Sequence, residues 1–191
     1  MQVIIVTGTP GVGKTSVSKQ LAASLDGLHV DLGELVKRER LTSGYDRKRR
    51  TFVVDEIKLA SRLRQILKRQ RGIVVVDGHY AAAVVARNQV ERVFVLRRDP
   101  RQLRQMMEKR GFRGEKLGEN LAAEVLDIIL NEAIVNSGSG KICEIDTTDK
   151  TVDDAVDDIL SILQSKKKCV VGVVDWIGKL EGEGVLDEYL R

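Results

Sequence analysis

Residues 1–16 read MQVIIVTGTPGVGKTS, and this stretch decides the fold. Residues 2–7 are a short run of β-forming residues that predicts a buried strand. Gly8-Thr9-Pro10-Gly11-Val12-Gly13-Lys14-Thr15 then matches G-x-x-x-x-G-K-[ST] in full. Behind it, Val17, Leu21 and Leu25 fall at helical spacing. Strand, glycine turn and helix are the setting that this motif needs. The glycines let the backbone turn tightly and aim its N–H groups inward. The helix N-terminus adds partial positive charge. An ammonium at Lys14 suits β- and γ-phosphate oxygens, and the Thr15 hydroxyl suits Mg²⁺. The loop therefore predicts a bound nucleoside triphosphate and says nothing of its fate.

Working outward, strands and helices alternate. Strands are expected at residues 28–31, 72–76, 92–96 and 141–145, and helices at 33–41, 55–70, 117–135 and from 149 or 151 to about 164. Asp99 and Pro100 read as the cap and first turn of a further helix. The run at 72–76 is continuously apolar, as in a strand covered on both faces. The alternation implies a parallel α/β sheet with helices on both sides. In residues 170–191, Val173, Val174, Ile177 and Leu180 fall at helical spacing. They predict a helix packed on the domain or, alternatively, a docking segment.

A triphosphate site needs a carboxylate for its metal. Asp77 ends the strand in GIVVVDGHY and can orient a magnesium-bound water, and His79 follows at the same end of the sheet. The remaining composition sets bounds. The chain has 191 residues, 42% hydrophobic and 31% charged, which suits one domain. No stretch reaches the ~18 apolar residues of a membrane span, and the N-terminus lacks signal-peptide features. Only Cys143 and Cys169 occur. They read as ordinary packing residues, which argues against a disulfide framework or zinc site and fits a reducing, cytoplasmic setting. The net charge of +4 permits acidic partners without requiring one.

No N-K-x-D base-reading motif of a GTPase is present, and a motor or AAA-type ATPase is usually larger. A nucleotide kinase needs an acceptor patch and a basic lid that excludes water. Residues 31–54 form an insert suited to the first. EKRGFRGEKLGEN, with Arg110, Arg113 and Lys116, is a short polar break suited to the second.

GTPGVGKTS, GYD, VVVDGHY, VFVLRRDP and RGFRGEKLGEN occur in the order and spacing of a small P-loop family. Over about residues 1–165 the chain resembles the adenylate kinase-like family of archaea and eukaryotic nuclei, linked to small ribosomal subunit assembly. The resemblance implies a P-loop nucleoside monophosphate kinase-like, three-layer α/β/α fold with a five-stranded parallel sheet and a short lid. It implies that Gly11, Gly13, Lys14, Thr15 and Ser16 contact ATP, that residues 31–54 bind the monophosphate, and that 109–119 form the lid with Arg110 on ATP. Asp77 and His79 match the family's D-x-H pair, implied in phosphate chemistry, and residues 166–191 are an extension.

The chain also departs from the family pattern. Acidic residues often follow Gly-Tyr-Asp in the family; here Arg47-Lys48-Arg49-Arg50 follow. Residues 37–50 hold seven Lys/Arg against two Asp/Glu, a net +5. Such a run is either a solvated face or a patch for a nucleotide or RNA backbone. Lys37 stands where adenylate kinases usually place an arginine for the monophosphate; Arg38 or Arg40 could substitute, since lysine cannot copy bidentate geometry. Two classes of function follow. One is a phosphotransferase that turns ATP and AMP into two ADP with Mg²⁺. The other is an ATP-hydrolysing assembly factor acting on a small-subunit ribosomal protein or rRNA.

Overall fold

The computed structural model describes residues 1–47 and 51–190. Lys48, Arg49 and Arg50, part of the basic run, lie outside the described residues. In chain order the elements are β1 (Gln2–Gly8), α1 (Lys14–Ser24), β2 (Leu28–Asp31), α2 (Leu32–Glu39), β3 (Thr42–Asp46), β4 (Thr51–Val54), α3 (Glu56–Lys68) and β5 (Ile73–Asp77). They continue with α4 (Ala81–Val84), β6 (Val90–Arg97), α5 (Pro100–Lys109), α6 (Gly114–Val125), α7 (Ile128–Ser137), β7 (Ile142–Asp146), α8 (Val152–Leu163) and α9 (Trp176–Gly182).

Five strands form one parallel sheet in the order β2-β5-β1-β6-β7. Strand alternation divides the core between its two faces. Ile4 and Val6 of β1 point to a cluster with Leu21 of α1, Leu103 of α5, Leu121 of α6 and Ile159 of α8. Val3 and Ile5 point the other way, to Leu35 of α2, Leu59 and Leu63 of α3 and Leu130 of α7. The fold is the expected three-layer α/β/α sandwich. β1 is flanked by β5 on one side and β6 on the other, so the strand order reverses there and a crevice opens beyond its carboxyl end.

The structure departs from the sequence reading in four places. The stretch expected as one helix over 117–135 is two, α6 and α7, with Asp127 between them at φ 55. The break has a partner: Asp127 is ion-paired with the buried Arg97. The insert carries an antiparallel hairpin, β3–β4, after its helix, where helix plus loop was expected. The tail helix is short; α9 buries Trp176 and Leu180 on the domain, while Val173 lies outside it and is exposed.

The cysteine reading is corrected: Cys143 and Cys169 form a disulfide. After α8 the chain runs back beside β7, and the Glu144 amide donates to the Val170 carbonyl at 2.9 Å. That return path brings together two thiols 26 residues apart in sequence. The bond removes the cysteine-based argument for a reducing compartment. Among the described residues, no helix is long and apolar enough to cross a membrane.

Because the bond closes a 26-residue loop, Cys169→Ser is expected to lower the unfolding free energy by about 3 kcal/mol. Urea unfolding without reductant reads this, and the wild-type chain with reductant should match the variant. Equal midpoints with and without the bond would reject it as a stabilising link.

Candidate functional site

The P-loop leaves β1 at the crevice. Gly11 has φ 100, and a Cβ there would meet Met107 Cγ at 2.9 Å, so only glycine lets the loop lie against α5. Gly13 has φ 103 and caps α1 without a side chain, and nothing stands within 4 Å of where its Cβ would be. The first-turn amides of α1 have no intrahelical acceptor, and here no side chain caps them. This open concave end, with Lys14, Thr15 and Ser16 on its first turn, fits a phosphate chain.

Lys14 turns back over the loop. Its Nζ donates to the carbonyls of Gly8 at 2.8 Å and Thr9 at 3.0 Å. Burial pushes its pKa down from 10.5 to about 8; the carboxylates of Asp77, Glu124 and Asp31 oppose the shift, and Arg110 adds to it. These interactions link the expected site residues electrostatically. Asp77, at the end of β5, and Arg110, at the C-terminal cap of α5, both act on the P-loop ammonium.

Asp77 is buried and pairs laterally with Val6 of β1 and Asp31 of β2. Its Oδ2 lies 2.9 Å from His29 Nε2. Sequence reasoning missed His29: a single histidine in a short strand carries no motif, and only the β2–β5 pairing puts it beside the metal candidate. Thr15 and Asp77 can hold Mg²⁺ directly and through water, since one hydroxyl and one carboxylate leave the remaining positions to phosphate oxygens and water. Among the described residues, no group of three or more His, Cys, Asp or Glu could hold an ion by itself.

His79 is half-buried, with its ring centre 3.8 Å from that of Tyr80 and the two planes tilted by 44°. Burial, then the charge of Lys14, pushes its pKa down to about 4, so it is neutral near pH 7. It lines a cavity of about 310 Å³ with Thr7, Glu56, Tyr80, Glu132 and Asn136. The Thr7 hydroxyl there is fully buried and has no hydrogen-bond partner among the described residues.

The insert contributes a separate cleft of about 490 Å³, lined by Val36, Lys37, Arg40, Thr42 and Phe52. Of the three cations weighed for an acceptor phosphate, Lys37 and Arg40 line it. Arg38 instead lies 3.4 Å from Glu39, which also receives Arg62 at 2.6 and 3.1 Å. Residues 109–119 form the exposed turn between α5 and α6 with the first turn of α6. Arg113 is turned away, donating to the carbonyls of Glu108 and Phe112, both at 2.6 Å. Arg110 is the arginine of this turn whose charge reaches Lys14.

A buried charge network that the sequence did not reveal stands behind the P-loop. Arg97, at the end of β6, donates to Glu124 Oε1 at 2.9 Å and Glu144 Oε1 at 2.5 Å. Burial acts to lower its pKa, but Glu124 and Asp127 raise it on balance.

Comparison with known proteins agrees with this geometry. The AAA domain family matches residues 4–127, which include the P-loop, β5 and the lid turn. Length had set the chain apart from AAA-type ATPases; at the level of family this match corrects that reading. A Methanocaldococcus jannaschii protein named "Putative adenylate kinase" is 37% identical over 176 residues, 92% of this chain and 93% of the relative. A Pyrococcus abyssi protein of the same name is 39% identical over 174 residues, 91% of this chain and 90% of the relative. Among solved structures, shikimate kinase from Acinetobacter baumannii in complex with shikimate superposes with a TM-score of 0.60 at 17% identity, covering 88% of this chain and 96% of that one. Thymidylate kinase from Candida albicans gives 0.55 at 14% identity, covering 86% and 92%. At such identities these structures share the fold.

The depressed Lys14 pKa has opposite consequences for stability and binding. Between about pH 8 and 10.5 the unfolded chain keeps the lysine proton and the folded chain sheds it. The unfolded state then binds more protons, so this contribution to stability rises with pH. Affinity for a polyphosphate, which needs the ammonium, should fall over the same window. Urea unfolding and calorimetry with tripolyphosphate check both trends, with Lys14→Met as the reference that removes them. A pH-independent difference from that variant would show that Lys14 does not titrate there.

Proposed function

The chain belongs to the AAA domain family of P-loop proteins and, with its archaeal relatives, to the adenylate kinase-like family, and from that premise we propose that it is a nucleoside monophosphate kinase converting ATP and AMP to two ADP. One observation carries the reading: an uncapped helix N-terminus, the Lys14 ammonium, the Asp77 carboxylate and the Arg110 guanidinium meet at one end of the sheet. The insert cleft with Lys37 and Arg40 opens as a separate acceptor site.

In this mechanism the P-loop amides and Lys14 bind the β- and γ-phosphates of ATP, with Lys14 exchanging the carbonyls of Gly8 and Thr9 for phosphate oxygens. Gly11, Gly13, Thr15 and Ser16 complete the cradle. An oxygen of the acceptor phosphate attacks the γ-phosphorus, the bond to the bridging β-oxygen breaks, and both products are diphosphates. Lys14 and Arg110 stabilise the charge on the transferring group, and no covalent intermediate on the protein is needed. Thr15 directly and Asp77 through water would hold Mg²⁺, which would offset phosphate charge when bound. Residues 109–119 act as the lid and residues 31–54 as the monophosphate-binding part of the 1–165 kinase domain. The cleft has lysine where bidentate recognition would favour arginine, so Arg40 is assigned the acceptor phosphate.

His79 favours a second activity. A neutral, half-buried imidazole beside Lys14 can orient a water molecule through its ring nitrogens, so the same site can hydrolyse ATP when no acceptor is bound. The link of that hydrolysis to a small-subunit ribosomal protein or rRNA, with little kinase activity, rests on the family resemblance and the basic insert.

Purified protein incubated with Mg-ATP, with and without each nucleoside monophosphate, separates the readings. ADP forming at twice the rate of AMP loss is expected for the kinase. Phosphate release indifferent to AMP but changed by ribosomal protein or RNA would replace it with the assembly factor. Lys14→Ala should lower either turnover by orders of magnitude. His79→Ala should slow hydrolysis more than transfer, and equal losses would reject water positioning.

A further inference from the structure

The P-loop is braced from behind by a carboxylate. Glu124, on α6, is only 2% exposed. Its Oε2 accepts the Thr9 hydroxyl at 2.5 Å. Its Oε1 accepts Arg97 Nε at 2.9 Å, the Arg98 amide at 3.2 Å and the Trp176 indole N–H at 3.1 Å. Thr9, in turn, offers the carbonyl on which Lys14 Nζ rests. A continuous hydrogen-bonded path therefore runs from Trp176, in the C-terminal segment, through Glu124 and Thr9 to the P-loop lysine.

Charge balance explains why the C-terminal segment is needed. Arg97 faces three carboxylates, those of Glu124, Glu144 and Asp127. Glu124 and Glu144 are both buried. One guanidinium cannot satisfy them all, and an underbonded buried carboxylate is costly. The C-terminal segment supplies further donors: the amides of Gly172 and Val173 give Glu144 Oε2 its donors, and Trp176 Nε1 joins Arg97 and the Arg98 amide on Glu124 Oε1. The segment is then fastened along α5. Lys179 pairs with Asp99 at 2.6 Å, Arg104 donates to the Glu188 carbonyl at 2.9 Å, and its guanidinium lies 4.3 Å from the Tyr189 ring centre. Leu190 lines a cleft together with Gly114 and Gly118 of α6.

We propose that Glu124 is a positioning residue for the P-loop and that Trp176 of the C-terminal segment holds it, so that residues 169–190 are a working part of the nucleotide site. The segment braces the loop from within the network and also spans the two helices on either side of the lid. Glu124 touches no substrate in this arrangement; it acts by holding Thr9, and with it the P-loop backbone that Lys14 leaves for phosphate oxygens when nucleotide binds. This proposal rests on the nucleotide-binding reading above.

The test uses the fact that Trp176 is the chain's single tryptophan. In the wild-type chain, its emission is expected to change on adding MgADP, with the same midpoint as calorimetric binding. In Thr9→Val, which keeps shape but loses the hydroxyl, calorimetry should still detect binding while the emission change is lost. Trp176→Phe should raise Kd and KM for MgATP roughly tenfold, the scale of one hydrogen bond to a charged group. The kcat should change far less, as when ground-state and transition-state binding weaken together. A purely structural role would lower the melting temperature and leave KM of the folded variant unchanged. Unchanged KM in folded Trp176→Phe, or wild-type emission indifferent to saturating MgADP that calorimetry sees bound, overturns the proposal while leaving the nucleotide reading intact. The emission arm needs only wild-type protein, so it decides the matter even if a variant does not fold. A wild-type chain that takes up no nucleotide brings down both.

Discussion

A lysine ammonium must stay charged at the mouth of β1, where burial works against it, and the neighbouring structure answers to that requirement. Lys14 has two carbonyls beneath it and three carboxylates near enough to favour its charged form, from β2, β5 and α6. The sheet order brings them together. β5 sets Asp77 beside β1, and β2 sets Asp31 beside Asp77. α6 reaches the loop from the opposite face through Glu124 and Thr9. Without these charges the lysine would lie further toward its neutral form and would lose its grip on phosphate.

The same end of the sheet concentrates charge of both signs, and the fold handles this by saturating donors and acceptors. Arg97 serves three carboxylates, and Arg98 next to it donates to Thr147 Oγ1 at 3.1 Å and to its carbonyl at 2.6 Å. Asp99 accepts from the Arg101 amide and from Lys179. Three consecutive residues thus tie β6 to α6, to the β7–α8 turn and to the C-terminal segment. Such networks are stable when complete and expensive when broken. Here α5, α6, the P-loop and the tail are joined through one.

Function and fold place different demands on neighbouring parts. The P-loop glycines are set by close approach, as at Gly11 against Met107, and by openness, as at Gly13. The insert between β2 and α3 is more exposed. Its hairpin exposes Tyr45 and Phe52, whose rings meet edge to face at 5.1 Å. An exposed aromatic pair beside a basic cleft suits a base or a partner surface that arrives from solution.

Local chemistry was legible in the residues themselves. The strand–glycine loop–lysine order sets the P-loop, apolar runs set the sheet strands, and Asp99-Pro100 marks the start of α5, because each depends on near neighbours in the chain. Asp77 and His79 could be placed for the same reason, since a strand end announces where a side chain will stand, whereas the role expected of Arg110 came from the family resemblance. What the sequence could not determine are contacts whose partners are far apart along it. The His29–Asp77 pair spans 48 residues, Thr9–Glu124 spans 115, and the disulfide spans 26. The break at Asp127 belongs here too, since helical periodicity runs on through it and the ion pair of Asp127 with the buried Arg97 spans 30 residues. Backbone geometry and apolar spacing are short-range and are written in order; the pairing of buried charges is decided only when the sheet brings its strands side by side.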